Sequence, residues 1–131
     1  LMKKLEHIGI AVLDLDAAEK IFTDVLGTTP YKREVVDSEN VLTSFFQAGD
    51  SKIELLQSTS SDGPIARHIL KRGEGLHHLA FQVDDIQSEI TELEAKGYRC
   101  ITGPKDGADG KRIAFLHPSD TSKVLVELCE G

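Results

Sequence analysis

The chain has no tryptophan, one methionine and only two cysteines among 131 residues. Cys100 and Cys129 lie far apart with no Cys-x-x-Cys, so neither a zinc-ribbon spacing nor a dithiol redox motif exists. Both are read as buried small hydrophobes rather than as a disulfide. No run of residues approaches the ~20 apolar positions that a membrane helix needs. The first residues carry Lys3, Lys4 and Glu6 in place of an apolar signal core, and the expected location is the cytoplasm. A basic excess is also missing. The net charge is −7 with Lys and Arg scattered, which gives nucleic-acid binding no support. Phosphate-cradling Gly-x-x-x-x-Gly-Lys-Ser, nucleophile-elbow Gly-x-Ser-x-Gly and dinucleotide fingerprints are all absent.

What the chain has is a repeat. His7-Ile-Gly-Ile-Ala-Val-Leu-Asp-Leu15 aligns on His78-Leu-Ala-Phe-Gln-Val-Asp-Asp-Ile86, His on His, Val12 on Val83 and Asp14 on Asp85. Each copy runs into an amphipathic helix. Ala18, Ile21, Phe22, Val25 and Leu26 keep helical spacing in the first, with Asp16 and Glu19 as a capping box and Gly27 as the stop. Ile86, Ile90 and Leu93 form the second stripe, capped by Asp84 or Asp85 and ended at Gly97. Three strands follow each helix: 31–36, 41–47 and 52–57, then 99–102, 112–117 and 123–129. Residues 103–110 read as a loop, and a linker helix runs from about Asp62 to Leu70. The expected class is α+β, one domain of two βαβββ modules (3–60 and 76–131, with linker 61–75). Their open sheet faces would line a cleft.

Alternation along a strand selects the residues of that cleft. Ile8, Ile10 and Val12 suit the helix-packed face, leaving His7, Gly9 and Ala11 on the other. In the second copy Leu79, Phe81 and Val83 oppose His78, Ala80 and Gln82, so parity selects His78 over its neighbour His77. The last strand of each copy carries one embedded acid, Glu54 in Lys52-Ile-Glu-Leu-Leu56 and Glu127 in Leu125-Val-Glu-Leu-Cys129. A carboxylate among apolar strand residues is costly unless it is paired or metal-bound. Two His and two Glu at equivalent places suit one divalent ion such as Co, Ni, Zn, Mn or Fe. The expected ligands are therefore His7, Glu54, His78 and Glu127. His68 reads as a surface histidine, and His117 as a residue bordering the cleft.

The paired His-x-Gly-x-Ala-Val and His-x-Ala-Phe-x-Val-Asp-Asp-Ile strands resemble the vicinal oxygen chelate superfamily, the glyoxalase-like fold. Within it, Asp62-Gly-Pro-Ile-Ala-Arg67, Gly73-Glu-Gly-Leu-His-His-Leu-Ala-Phe81, Gly107-Ala-Asp-Gly110, Ala114-Phe-Leu-His-Pro118 and Val124-Leu-Val-Glu-Leu128 resemble the methylmalonyl-CoA epimerase family. The resemblance implies a homodimeric, metal-dependent isomerase of an acyl-CoA, with ligands matching His7, His78 and Glu127. Glu54 stands where some members have Gln, and glyoxalase I members have a glutamate there. Some epimerases use a glutamate on the middle strand of the first module, where this chain has Thr43. Glu127 first and Glu54 second are then the expected bases, with another base unassigned and Asp37 and Glu39 nearby in a loop. Gln82, Thr43, Lys105, Arg112 and His117 are candidate substrate contacts, and Lys111 could join them at CoA phosphates. Two alternatives remain: a glyoxalase I-like hemithioacetal isomerase, and a metal-free protein that sequesters a small ligand as antibiotic-binding members do.

Overall fold

Residues 3–131 are described by the computed structural model. They form two compact units, one of residues 7–77 and one of residues 3–6 with 78–131.

The unit of residues 7–77 takes in β1 (Lys4–Ala11) from His7 onward. α1 (Leu15–Leu26), β2 (Lys32–Val36), β3 (Val41–Ala48), β4 (Ser51–Ser58) and α2 (Pro64–Arg72) follow. Its strands lie in the order β2-β3-β4-β1, with β1 parallel to β4 and the other pairs antiparallel. One face carries α1. Leu15, Ala18 and Phe22 pack on Val12, Phe46 and Leu55, with Ile10, Leu42 and Ile53 at the margin. Phe46 and Leu55 are fully buried, and truncating such a phenylalanine costs about 3–5 kcal/mol.

The cap of α1 differs from the expected box. Asp14 is the N-cap, its side chain accepting from the Ala17 N–H at 3.2 Å. Asp16 and Glu19 instead receive Arg33 of β2: Nη2 lies 2.5 Å from Asp16 Oδ1 and 2.6 Å from Glu19 Oε1, and Nε 2.9 Å from Glu19 Oε2. Ser44 Oγ adds a hydrogen bond to Glu19 at 2.5 Å. Arg33 outcompeted the local cap because Asp14, two residues earlier, already satisfies the helix end. Gly27 stops the helix as expected, in the left-handed region at φ 72° with its N–H on the Thr23 carbonyl.

The other unit runs through β5 (Gly75–Gln82) from His78 onward, α3 (Ile86–Ala95), β6 (Cys100–Asp106), β7 (Arg112–Leu116) and β8 (Val126–Glu130). Its order is β5-β8-β7-β6, with β5 parallel to β8 and the other pairs antiparallel. Asp85 caps α3 through the Ser88 N–H at 3.0 Å. Ile86 and Ile90 bury themselves against Val83, Ala114, Leu116 and Leu128.

Two boundaries depart from the sequence reading. Part of the expected loop after Thr102 is strand: β6 reaches Asp106 through two register shifts against β7. Gly103 allows this, since at φ 99° a Cβ there would sit 2.4 Å from the Ile113 carbonyl oxygen. β8 in turn starts at Val126 rather than Lys123. Ser122 and Lys123 adopt positive φ, and the Lys123 N–H bonds the Pro118 carbonyl at 2.8 Å, so these backbone groups belong to a turn.

Candidate functional site

Strand register defines the face of the 7–77 unit opposite α1. His7 pairs with Lys52, Gly9 with Glu54 and Ala11 with Leu56, and partners in register point to the same side. Across β4, Glu54 stands beside Phe45 and Leu56 beside Thr43; across β3, Phe45 stands beside Lys32 and Thr43 beside Glu34. The result is two rows of side chains, Lys32, Phe45, Glu54, Gly9 and Glu34, Thr43, Leu56, Ala11. Gly9 has no side chain to stand between Glu54 and His7. The carboxylate reaches the imidazole, with Glu54 Oε2 3.1 Å from His7 Nδ1 and both side chains 5% exposed.

The second unit repeats the device. Glu127 pairs with Ala80 on one side and with Phe115 on the other. Glu127 Oε1 lies 3.2 Å from His78 Nε2, and both residues are buried. Phe115 meets the His78 ring edge to face, centroids 5.9 Å apart. Each glutamate is thus flanked by a phenylalanine and by glycine or alanine, and grips a histidine of its own unit. The His/Glu half of this pattern was legible in the repeat; Phe45 and Phe115 were not, because their matching depends on antiparallel register.

The structure brings His7 to Glu54 and His78 to Glu127. These four donors, two imidazoles and two carboxylates, are the borderline nitrogen and hard oxygen ligands that a first-row divalent ion accepts. Burial adds to the fit, since an anionic carboxylate walled by Phe45 or Phe115 is expensive without a nearby cation. His77 lies on the other parity of β5, edge to face with His68 of α2 at 4.9 Å. His68 is half-buried, and burial, then the Arg72 charge, pushes its imidazole below the ordinary value.

Both cysteines are free, as expected, but Cys129 does more than pack. It is fully buried and on the face of Glu127, and its Sγ donates to Glu127 Oε2 at 2.9 Å. Cys100 is half-buried; desolvation holds its thiol above the usual range. Lys52 was also missed. It is a buried lysine in register with His7, which alternation alone would have suggested.

The substrate candidates sort by face. Thr43 is 1% exposed, and its Oγ1 has no hydrogen-bond partner among the described residues. Gln82 pairs with Cys129 and Lys105 with Ile113, putting both on the Glu127 side of their sheet. Arg112 shares the parity of Ala114 and Leu116, which pack on α3, and so lies on the other side. His117 caps a 3-10 turn at Pro118–Asp120, its Nδ1 accepting from the Ser119 N–H at 3.1 Å. Lys111 Nζ reaches the Gly131 carbonyl at 2.6 Å. Asp37 and Glu39 lie in a 3-10 turn between β2 and β3.

Residues 6–115 match the sequence profile of the glyoxalase/bleomycin resistance protein/dioxygenase superfamily. An uncharacterised protein of Bacillus subtilis is 40% identical over 98% of this chain and 93% of its own length. The mitochondrial methylmalonyl-CoA epimerase of Mus musculus is 37% identical over 95% of this chain and 71% of its own. Among solved structures, a variant of Streptomyces coelicolor methylmalonyl-CoA epimerase in complex with 2-nitronate-propionyl-CoA is 33% identical, with a TM-score of 0.93 over 100% of this chain and 96% of that one.

Proposed function

The chain belongs to the glyoxalase/bleomycin resistance protein/dioxygenase superfamily, and we propose that within it the protein interconverts the epimers of methylmalonyl-CoA on one divalent ion held by His7, Glu54, His78 and Glu127. The observation that carries the reading is the twice-built couple, a buried carboxylate between a phenylalanine and a small residue, gripping a histidine. The epimerases among its relatives support the choice of substrate.

The substrate's α-carbon lies between a thioester and a carboxylate, so removing its proton sends the electron pair toward the thioester oxygen. When bound, the ion supplies positive charge for that oxygen and orients the substrate. Glu127 is the first candidate to carry the proton, and Glu54 the second. Lys105, on the Glu127 side of its sheet, suits a CoA phosphate.

The test follows the α-proton of (2R)-methylmalonyl-CoA by NMR in deuterated water, with metal-loaded and EDTA-stripped protein. Metal-dependent washout together with inversion is expected. No exchange with any of Co, Ni, Zn, Mn or Fe would overturn the reading and move hemithioacetal substrates to the front, for which a carboxylate at Glu54 is equally suited.

A further inference from the structure

A malonyl-type thioester carries one group that a plain acyl thioester lacks, an ionised carboxylate beside the reacting carbon. Taking that anion out of water is costly unless a cation or hydrogen-bond donors meet it. On the face of the 7–77 unit that carries His7 and Glu54, few groups can do so. Glu34 and Glu54 are acids and repel it, as does Glu6, buried and next to His7 in the chain. His7 faces Glu54 from 3.1 Å. Lys32 lies on the edge strand β2 with an exposed side chain, its Nζ 3.4 Å from Glu34 Oε1 and 4.9 Å from the centre of the Phe45 ring. Lys52 differs in each respect. It stands on the inner strand β4, in register with His7 and two residues before Glu54, and it is 8% exposed. Among the described residues no other lysine and no arginine is buried.

We propose that Lys52 receives the carboxylate of the substrate's malonyl unit, an assignment that rests on the epimerase reading above. Strand spacing sets the scale. Lys52 lies about 4.8 Å from His7 between β4 and β1 and about 6.6 Å from Glu54 along β4, and the three side chains share one face. The flexible four-carbon stem of a lysine can carry its ammonium across such distances. In methylmalonyl-CoA the carboxylate and the thioester carbonyl leave the same carbon, so an α-carbon held near Glu54 brings the carboxylate within that reach. An ammonium has three donors, so a protein acceptor and a substrate carboxylate can share it. Anchoring the carboxylate also fixes how the hydrogen and methyl group of the α-carbon are presented. Lys52 thereby selects carboxylated acyl thioesters over plain ones, and it carries no proton in the reaction.

The experiment measures by calorimetry the binding of malonyl-CoA and of acetyl-CoA, which differ by the carboxylate, to wild type, Lys52→Met and Lys52→Arg. Wild type should bind malonyl-CoA about 10-fold or more tightly than acetyl-CoA, the strength of a hydrogen bond to a charged group. The preference should persist in EDTA-stripped protein, because Lys52 supplies it. Lys52→Met keeps the length of the side chain without its charge. It should lose most of the preference while its affinity for acetyl-CoA stays within about threefold of wild type. Lys52→Arg should retain part of the preference, and both variants should bind Zn or Co as wild type does. With methylmalonyl-CoA the loss in Lys52→Met should fall on KM. An undiminished preference in Lys52→Met overturns the assignment, as does an equal loss of affinity for both ligands or a loss of metal. A wild type without the preference, or one that loses it with EDTA, overturns it whether or not the variants fold. A wild type that exchanges the α-proton of neither epimer of methylmalonyl-CoA instead overturns the epimerase reading, and this assignment with it.

Discussion

Cys129 donates its thiol hydrogen to Glu127 Oε2 at 2.9 Å, while the other oxygen of the same carboxylate faces His78 at 3.2 Å. The carboxylate is therefore held at both ends, and its rotation is restricted before any ion arrives. Partners of this kind orient a metal ligand and are commonly worth 10-fold or more in affinity. A thiol is a weak donor, so Cys129→Ala should weaken Zn or Co binding by about 10-fold, read by calorimetry, and should lower kcat more than it raises KM. Cys129→Ser, which keeps a donor, should restore most of both. Equal metal affinity in all three proteins would reduce Cys129 to a packing residue.

The histidine pair His77-His78 separates by strand parity. His78 faces Glu127, and His77 turns to the His68 ring. His78→Ala should abolish stoichiometric metal binding and activity together. His77→Ala should keep the metal and lose stability at most. Retention of metal by His78→Ala would mean that the ion uses other donors.

How far the sequence could be read follows from which forces are local. Alternation in β1 and β5 and the embedded acids of β4 and β8 placed His7, Glu54, His78 and Glu127, because a period of two and a repeat are visible without tertiary information. The capping of α1 by Asp14 and not Asp16 was missed, since the competing claim on Asp16 comes from Arg33 of β2, a strand-to-helix contact distant in sequence. Phe45, Phe115 and Glu34 were invisible for a related reason. Their position beside Glu54, Glu127 and Thr43 is set by antiparallel register, which the turn residues determine and which a single strand does not encode. The extension of β6 to Asp106 hinged on Gly103, where a loop signal and a close backbone approach use the same residue.

Thr43 offers a test of the face itself. Its hydroxyl is buried with no protein partner, a state that costs roughly 1–3 kcal/mol relative to an apolar isostere. Thr43→Val keeps the shape and removes the polar atom. The substrate-free variant should be more stable by about 1 kcal/mol in urea unfolding. Substantial turnover should remain, with the loss, about 10-fold or less, falling on KM. A drop of several orders of magnitude in kcat would give Thr43 a chemical role instead.

Glu19 predicts a pH dependence of stability that has nothing to do with the metal. Hydrogen bonds from Arg33 foremost, with Ser44 helping, outweigh partial burial and hold its carboxyl below the ordinary value of 4.5. A depressed carboxyl pKa means that the folded state binds fewer protons than the unfolded one. Its stabilisation is therefore complete above about pH 4.5 and is lost as the pH falls through the lower, folded-state value. The network is mostly near the surface, so the amount is no more than about 1 kcal/mol. Glu19→Gln removes the titrating group. Urea midpoints of variant and wild type should differ at pH 7 and converge as the pH is taken well below 4.5, where Glu19 is protonated in both states. Because the other carboxylates are common to the two proteins, their difference isolates Glu19. A gap that stays constant down to pH 2 would mean that the Arg33 bridge contributes through packing and not through charge.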